Sequence, residues 1–171
     1  RFRRTFDQAP TAAAMAGLDG RLFRVNRAFC TFTGYTEAEL QGLHFSDITH
    51  PEDLADGLAA VRQLIGGGLG LYEANKRYLR KDGRVAWGRL NLSLIRGPGG
   101  EPQYFLPMIE DISARREAEL ALQESEARFN TAFQFMPVAL GITRLAQRDF
   151  LAVNRAFTEI YGYTPEDLRG R

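Results

Sequence analysis

The apolar positions of the first 35 residues predict two short strands followed by a helix. Two apolar runs flank Asp19 and Gly20, a pair typical of a β-hairpin because both residues tolerate positive φ. Asn26 follows the second run and is a residue type that caps helices. Phe29 and Phe32 then fall on one helical face. The pattern therefore predicts strand, turn, strand and helix in that order.

Two more helical segments follow before residue 70. Thr36 and Glu39 have the spacing of a capping box, which predicts a short helical turn. In the longer segment "HPEDLADGLAAVRQLIGGG", a proline near the first turn and apolar residues at helical spacing predict a helix that the glycines end. These apolar residues are Leu54, Leu58, Val61 and Ile65. Because those glycines close a helix instead of opening one, they are read as a loop and not as a phosphate cradle.

From residue 71 to residue 112 the pattern changes to strands. Leu90, Leu92 and Leu94 alternate with polar residues, so one face of that strand is expected to be buried. Phe2 and Phe6 lie four residues apart in the N-terminal segment and are expected to cover the other face. Turns at "KDG" and "GPGG" separate three runs and predict an antiparallel meander: "LYEANKRYLR", "RVAWGRLNLSLIR" and "PQYFLPMIEDI".

A helix without breaks leads into a repeat. The segment "SARREAELALQESEARFNTAF" after Ile112 has no proline or glycine, and predicts one continuous helix. The motif "VNRAF" occurs at 25–29 and again at 153–157, and 10 of the 18 positions that begin with each copy are identical. This separation is the size of a domain and much longer than the period of a stacked repeat. The second copy ends before any sheet comparable with the first.

The order of these elements resembles that of a PAS domain. "RFRRTFDQAP" resembles the N-terminal helix of that family, "HPEDL" the start of its long helix, and "YLRKDGRVAWGRLNLSLIR" its central hairpin. "IEDISARREAELALQESEARF" is similar to its Asp-Ile-Thr exit motif and signalling helix, with Ser113 in place of Thr. The resemblance implies an α+β fold, in which a five-stranded antiparallel sheet carries short helices on one face.

The resemblance also implies a tandem organisation. Residues 1–113 would form the first PAS domain including its N-terminal helix, and residues 114–127 a connecting signalling helix. Residues 128–171 would be the N-terminal part of a second, incomplete PAS domain. The implied partner is a second copy of the chain, bound through the N-terminal and connecting helices.

The implied function is a sensory and dimerisation module of a bacterial signalling protein. The downstream effector would be a histidine kinase, or alternatively a diguanylate cyclase, and no catalytic residue of either enzyme is expected in this chain. The exit motif implies a relay through Asp111, Ile112 and Ser113, with Asp111 paired to Arg115 or Arg116. Asp and Ser side chains at this point can bind the free N–H groups of the helix.

The cavity of the implied fold is the expected ligand site. A fully packed core that serves only dimerisation and relay is the competing interpretation. A purely apolar lining would select a small apolar or aromatic ligand without naming it. The residues expected to line the cavity are Met15, Phe29, Phe32, Ile48, Leu58, Val61, Leu92 and Met108.

Related sensors of this family bind haem or a flavin. Haem is disfavoured because the long helix carries no histidine, and His50, just before Pro51, is better read as a cap. A flavin remains an alternative with Trp87 as a stacking candidate, although the reactive-cysteine motif of flavin-binding light sensors is absent. Cys30 lies earlier, beside Phe29, where a buried thiol packs as a small apolar group.

Composition narrows the partners further. The 171 residues carry 22 basic and 21 acidic side chains, so no large net field attracts nucleic acid. A single cysteine excludes an intrachain disulfide and a thiolate metal cluster. No apolar run approaches the roughly 18 residues that span a bilayer, so a cytoplasmic location is expected for this part of its parent protein.

Overall fold

The structure contains two compact units, Arg1–Arg116 and Glu117–Arg171. The computed structural model describes residues 2–147 and 149–168. Its first unit contains five strands: β1 Ala12–Ala16, β2 Leu22–Val25, β3 Leu71–Leu79, β4 Val85–Arg96 and β5 Pro102–Asp111. The helices of this unit are α1 Phe2–Asp7, α2 Arg27–Thr33, α3 Glu37–Leu40 and α4 Leu54–Ile65, with two 3₁₀ turns at Phe45–Ile48 and Pro51–Asp53.

The five strands form one antiparallel sheet in the order β2-β1-β5-β4-β3. The predicted α+β fold and the predicted meander of β3, β4 and β5 are confirmed. Leu90 and Leu92 are buried in the main core and Leu94 packs against it, as their alternation predicted. Phe29, Leu40 and Leu64 are the largest fully buried apolar side chains, and they come from α2, α3 and α4. The main core therefore lies between the sheet and these helices.

Local hydrogen bonds explain where α2 and α3 begin. The Phe29 backbone N–H donates to the Asn26 side chain (2.9 Å), and Gly34 ends α2 with φ 78°. The Glu39 N–H donates to the Thr36 hydroxyl, while the Thr36 N–H donates to the Glu39 carboxylate. Both predicted caps are confirmed, because they depend only on residues within one turn of each other.

The long helix differs from its predicted form in two respects. The segment begins with the 3₁₀ turn Pro51–Asp53, where the Glu52 N–H donates to His50 Nδ1 (3.3 Å), so His50 caps this turn as predicted. The buried residues of α4 are Gly57, Ala60 and Leu64, whereas Leu58 is 38% exposed. Small side chains allow the helix to approach the sheet closely, whereas the predicted apolar stripe that includes Leu58 is turned partly to solvent.

A second apolar cluster covers the opposite face of the sheet. Phe6 of α1 packs there with Ala13 and Met15 of β1, and Tyr104 and Leu106 of β5 pack against them. Phe6 thus lies on the outer face as predicted. The side chain of Phe2 lies outside the described part of the chain.

The second unit repeats the strand-to-helix motif of the first unit. Helix α5 spans Ser113–Phe135 without a break, as predicted, and the elements after it are β6 Gly141–Arg144, β7 Asp149–Val153 and α6 Arg155–Tyr161. Strands β6 and β7 pair antiparallel. Asn154 caps α6 by accepting from the Phe157 N–H (3.0 Å), as Asn26 caps α2. The second "VNRAF" thus builds the same strand-to-helix transition as the first.

Candidate ligand cavity and exit junction

A cavity of about 60 Å³ lies in the first unit between the sheet and the helices. All five strands, the first 3₁₀ turn and helices α2 and α4 contribute to its wall. Most of the wall is apolar, and the polar side chains come mainly from β3. The lining residues are Ala16, Gly20, Leu22, Phe29, Phe45, Ile48, Thr49, Gly57, Val61, Tyr72, Lys76, Tyr78, Leu90, Leu92, Phe105, Pro107 and Ile109.

Four of the eight side chains expected to line the cavity do so: Phe29, Ile48, Val61 and Leu92. Phe32 is buried in the same core, where its ring meets the Tyr78 ring edge to face at 5.2 Å, but it lies behind the cavity wall. Leu58 does not line the cavity. Gly57 and Val61, four residues apart on α4, form that part of the wall, and Leu58 is rotated away by the helical period.

Met15 and Met108 do not line the cavity either. Met15 belongs to the cluster on the outer face of the sheet, and Met108 is paired with Ala13 and 41% exposed. Successive residues of a strand point to opposite faces, and Ala16, Pro107 and Ile109 have the inward parity. Because β1 is buried on both faces, its apolar sequence held no signal of which face Met15 would occupy.

Sequence reasoning missed the polar side of the cavity. Tyr72, Lys76 and Tyr78 line it from β3, where alternate residues share one face. The run "YEANKRY" looks polar throughout, but the even spacing of these three residues is the signal that places them together. The loop before α4 closes this edge, because Thr49 pairs with Tyr78 and the His50 N–H donates to the Arg77 carbonyl (3.0 Å).

Lys76 is a buried cation with aromatic neighbours. The residue is only 6% exposed. The Lys76 Nζ lies 5.0 Å from the centroid of the Tyr78 ring and 5.5 Å from that of the Phe45 ring. Burial lowers the pKa of Lys76 to about 8, and the negative charge of Asp53 opposes this effect. Ring faces stabilise a cation less than a carboxylate contact does.

The Asp53 carboxylate is committed to another partner. Arg77 donates to it from Nε to Oδ2 (3.0 Å) and from Nη2 to Oδ1 (2.6 Å), and the Arg77 backbone N–H donates to Oδ2 (2.8 Å). These hydrogen bonds hold the pKa of Asp53 at about 2. Within residues 2–147 and 149–168, no carboxylate lies within ion-pair distance of Lys76.

Tyr78 adds an unsatisfied donor to the same site. The residue is 3% exposed, and its hydroxyl has no hydrogen-bond partner in the described part of the chain. Burial is the main cause that raises the pKa of Tyr78, so the hydroxyl stays protonated at neutral pH. The cavity therefore combines a largely apolar wall with the Lys76 ammonium and the Tyr78 hydroxyl, which finds no hydrogen-bond partner among the described residues; the Thr49 and Tyr72 hydroxyls also line it.

The exit junction joins β5 to α5 through contacts with β4. The Ser113 N–H donates to Asp111 Oδ1 (2.9 Å), which satisfies one free N–H at the start of α5. The Ser113 hydroxyl accepts from the Trp87 N–H (2.9 Å), and the Ile112 N–H donates to the Trp87 carbonyl (2.9 Å). Asp111 therefore caps the helix, whereas Ser113 ties it to the neighbouring strand.

Arg116 packs on Trp87 at this junction. Its guanidinium carbon lies 3.8 Å from the centroid of the indole ring, and that of Arg77 lies 5.6 Å from the same centroid. The ion pairs formed by the described residues include none between Arg116 and Asp111, so of the two expected partners of Asp111 only Arg115 stays a prediction. A planar guanidinium gains more from the face of an indole than from an exposed carboxylate. Arg115 lies exposed on the first turn of α5.

The remaining cofactor candidates lie apart from the cavity. Cys30 does not line it, and burial is the main cause that raises the pKa of its thiol, which favours the unreactive form. Among the described residues no three His, Cys, Asp or Glu side chains are grouped so as to hold a metal ion.

Within residues 2–147 and 149–168, no helix has both the length and the hydrophobicity required to cross a bilayer.

Comparison with known families agrees with this architecture. A family model described as "PAS fold" matches residues 22–108, and a second described as "PAS domain" matches residues 127–171. The chain belongs to the PAS family.

Its relatives are larger signalling proteins. The probable diguanylate cyclase DgcE of Escherichia coli (strain K12) is 34% identical over 164 residues, which are 96% of this chain and 15% of that protein. A blue-light-activated histidine kinase of Rhizobium johnstonii (strain DSM 114642 / LMG 32736 / 3841) is 31% identical over 123 residues, which are 69% of this chain and 35% of that protein. The chain thus spans about a seventh and a third of these relatives.

A solved structure shows the same fold. The PAS domain of a protein from Colwellia psychrerythraea superposes with a TM-score of 0.62 at 22% identity, over 66% of this chain and 95% of that one. The protein is therefore a PAS sensory module related to the sensor regions of histidine kinases and diguanylate cyclases.

Proposed function

We propose that this chain senses a change in its cavity, or at a dimer contact, and relays it through α5 to an effector of the parent protein. The observation that carries this proposal is the position of β5. Phe105, Pro107 and Ile109 line the cavity, and the same strand ends at Asp111, immediately before α5. A displacement of the cavity wall therefore reaches the exit helix within three residues.

The junction has the features of a two-state element. Asp111 holds the first N–H of α5, while Ser113 and Arg116 bind to Trp87 on the neighbouring strand. These contacts involve side chains at a strand-to-helix transition, and each is weak enough to exchange. A difference of a few kcal/mol between two helix orientations suffices for switching.

The effector and the dimer belong to the same proposal. Relatives of this chain include a histidine kinase and a probable diguanylate cyclase, which supports an effector of one of these two classes. A homodimer through α1 and α5 is supported by apolar side chains that α5 exposes, namely Leu120, Leu122 and Phe129. A module that serves only dimerisation and relay is the second candidate, favoured by the small volume of the cavity.

Asp111→Ala in the full-length parent protein is expected to uncouple the signal from the output. The substitution removes the acceptor for the Ser113 N–H, which costs the start of α5 about 1 kcal/mol. Effector activity is measured with and without the signal. Trp87, the only tryptophan of the chain, reports the junction through its fluorescence.

Asp82→Ala is the control for this test, because Asp82 lies in the exposed β3–β4 turn. Signal-dependent output that Asp111→Ala leaves unchanged would contradict the relay.

A flavin-based light sensor is the alternative, favoured by the blue-light-activated relative. The cavity of about 60 Å³ is smaller than the three fused rings of a flavin, so a flavin would require the wall to open. We expect the purified protein to show no visible absorption band. A visible absorption band with the shape typical of a flavin would instead establish the alternative.

A further inference from the structure

We propose that the cavity binds a short-chain monocarboxylate, whose carboxylate accepts hydrogen bonds from the Lys76 ammonium and the Tyr78 hydroxyl. This inference rests on the proposed sensory function and names the ligand class of that site. It replaces the purely apolar or aromatic ligand expected from the sequence.

Two buried donor residues of the cavity favour an anionic ligand. Lys76 is 6% exposed and Tyr78 is 3% exposed, and both line the cavity. The Tyr78 hydroxyl has no partner among the described residues, and both oxygens of Asp53 are held by Arg77. Buried charges and donors in proteins are normally paired, because an unpaired group loses its hydration without compensation.

Charge balance favours a ligand with a single negative charge. The cavity has one ammonium, and its remaining wall is formed largely by apolar side chains such as Leu90, Leu92 and Val61. One carboxylate neutralises one ammonium, whereas a doubly charged phosphate would leave excess charge against an apolar surface. A short aliphatic tail fits the rest of the wall.

The volume of the cavity limits the size of the ligand. A water molecule needs roughly 10 to 15 Å³ of cavity volume, so about 60 Å³ accommodates four or five non-hydrogen atoms. Acetate has four such atoms and propionate has five. Gly57 sets this limit on the helical side, since a Cβ at position 57 would lie 3.6 Å from Phe45 Cε2 and 3.9 Å from Lys76 Nζ.

The test titrates the 171-residue protein with propionate and with its neutral isostere propionamide, using ¹H–¹⁵N NMR shifts and calorimetry. We expect propionate to bind with a Kd of about 1 mM or lower, and propionamide about 10-fold more weakly. Lys76→Met should weaken propionate binding about 10- to 100-fold and leave propionamide binding nearly unchanged. Tyr78→Phe should weaken both by about 5-fold.

Lys81→Met is the matched control, because Lys81 is the only other lysine and lies exposed outside the cavity. It should bind propionate as the unchanged protein does. Gly57→Ala keeps Lys76 and places a methyl group in ordinary contact with the wall, so it should fold and weaken propionate more than acetate.

The outcomes separate this proposal from the sensory function. No propionate binding, or equal binding of propionate and propionamide, overturns the carboxylate assignment, and in the second case the cavity remains a ligand site. Propionate binding that depends on Lys76 but changes neither Trp87 fluorescence nor the output of the parent protein supports the ligand class and contradicts the relay.

Discussion

Asn26→Ala is expected to destabilise the first unit by about 3 to 5 kcal/mol. The Asn26 Oδ1 accepts from the Ala13 N–H (3.0 Å) and the Phe29 N–H (2.9 Å). Its Nδ2 donates to the carbonyls of Phe6 (3.1 Å) and Thr11 (2.9 Å). The residue is 1% exposed, so alanine would remove a buried partner from all four groups, although the Phe6 carbonyl would keep the Ala9 N–H (3.4 Å).

Urea unfolding followed by Trp87 fluorescence measures this loss, since Trp87 lies in the same unit. Asn75→Ala is the control, because Asn75 is an exposed asparagine of β3 and its removal should change the unfolding free energy by less than about 0.5 kcal/mol. A loss below about 1 kcal/mol for Asn26→Ala would show that water replaces the side chain, and would contradict the proposed cost of the buried groups.

Lys76→Met is expected to raise the unfolding free energy at pH 7 by about 3 kcal/mol. The pKa of Lys76 is about 8 in the folded protein, against about 10.4 in an unfolded chain. The unfolded chain therefore binds more protons between these values, so the stability of the unsubstituted protein rises as the pH increases from about 8 to about 10. Methionine has a similar volume and no charge, and removes this penalty.

The difference between the two proteins should accordingly fall to about 1 kcal/mol at pH 10. Asp53 stays ionised over this range because its pKa is about 2, and burial is the main cause that raises the pKa values of Tyr72 and Tyr78 in both proteins. Comparison with Lys81→Met controls for the loss of a lysine, because its exposed ion pair with Glu39 contributes at most about 1 kcal/mol and does not change between pH 7 and pH 10 as a buried lysine does. Equal stability of the Lys76→Met and unsubstituted proteins at every pH would show that Lys76 is not desolvated.

This prediction also bears on function. A buried lysine that costs stability in the unliganded protein is poorly explained as part of the scaffold, because a methionine would serve the core better. Stability given up at one position is common where a site must bind a charged ligand. A bound carboxylate would pair with the Lys76 ammonium and offset the free-energy cost of burying it. Propionate should therefore stabilise the unsubstituted protein and not Lys76→Met.

Much of the fold was predictable from the sequence because its signals are local. The predicted strand runs 71–80, 84–96 and 102–112 agree with β3, β4 and β5 to within one residue at each end. The caps at Asn26 and Thr36 involve groups three residues away. The repeated "VNRAF" also indicated a second strand-to-helix transition capped by asparagine. Asn154 makes the same kinds of hydrogen bonds as Asn26, to Leu140, Val138 and Phe157.

Four of the eight residues that the sequence predicted for the cavity wall line the cavity. Phe29, Ile48, Val61 and Leu92 line the cavity as expected, since each is the apolar member of an amphipathic pattern. The expected relay residues stay a prediction, although the structure brings Asp111, Ile112 and Ser113 to the start of α5.

By itself, the sequence of this protein determined which residues share a face of each strand or helix, because that depends on the backbone period alone. The tertiary structure decided which of those faces meets the cavity. In β1 and β5 both faces carry apolar residues, so only sheet packing placed Met15 and Met108 outside. Likewise, only tertiary packing against β3 buries Lys76, whose ammonium lies beside Phe45 and Gly57 although the charge of a lysine favours solvent.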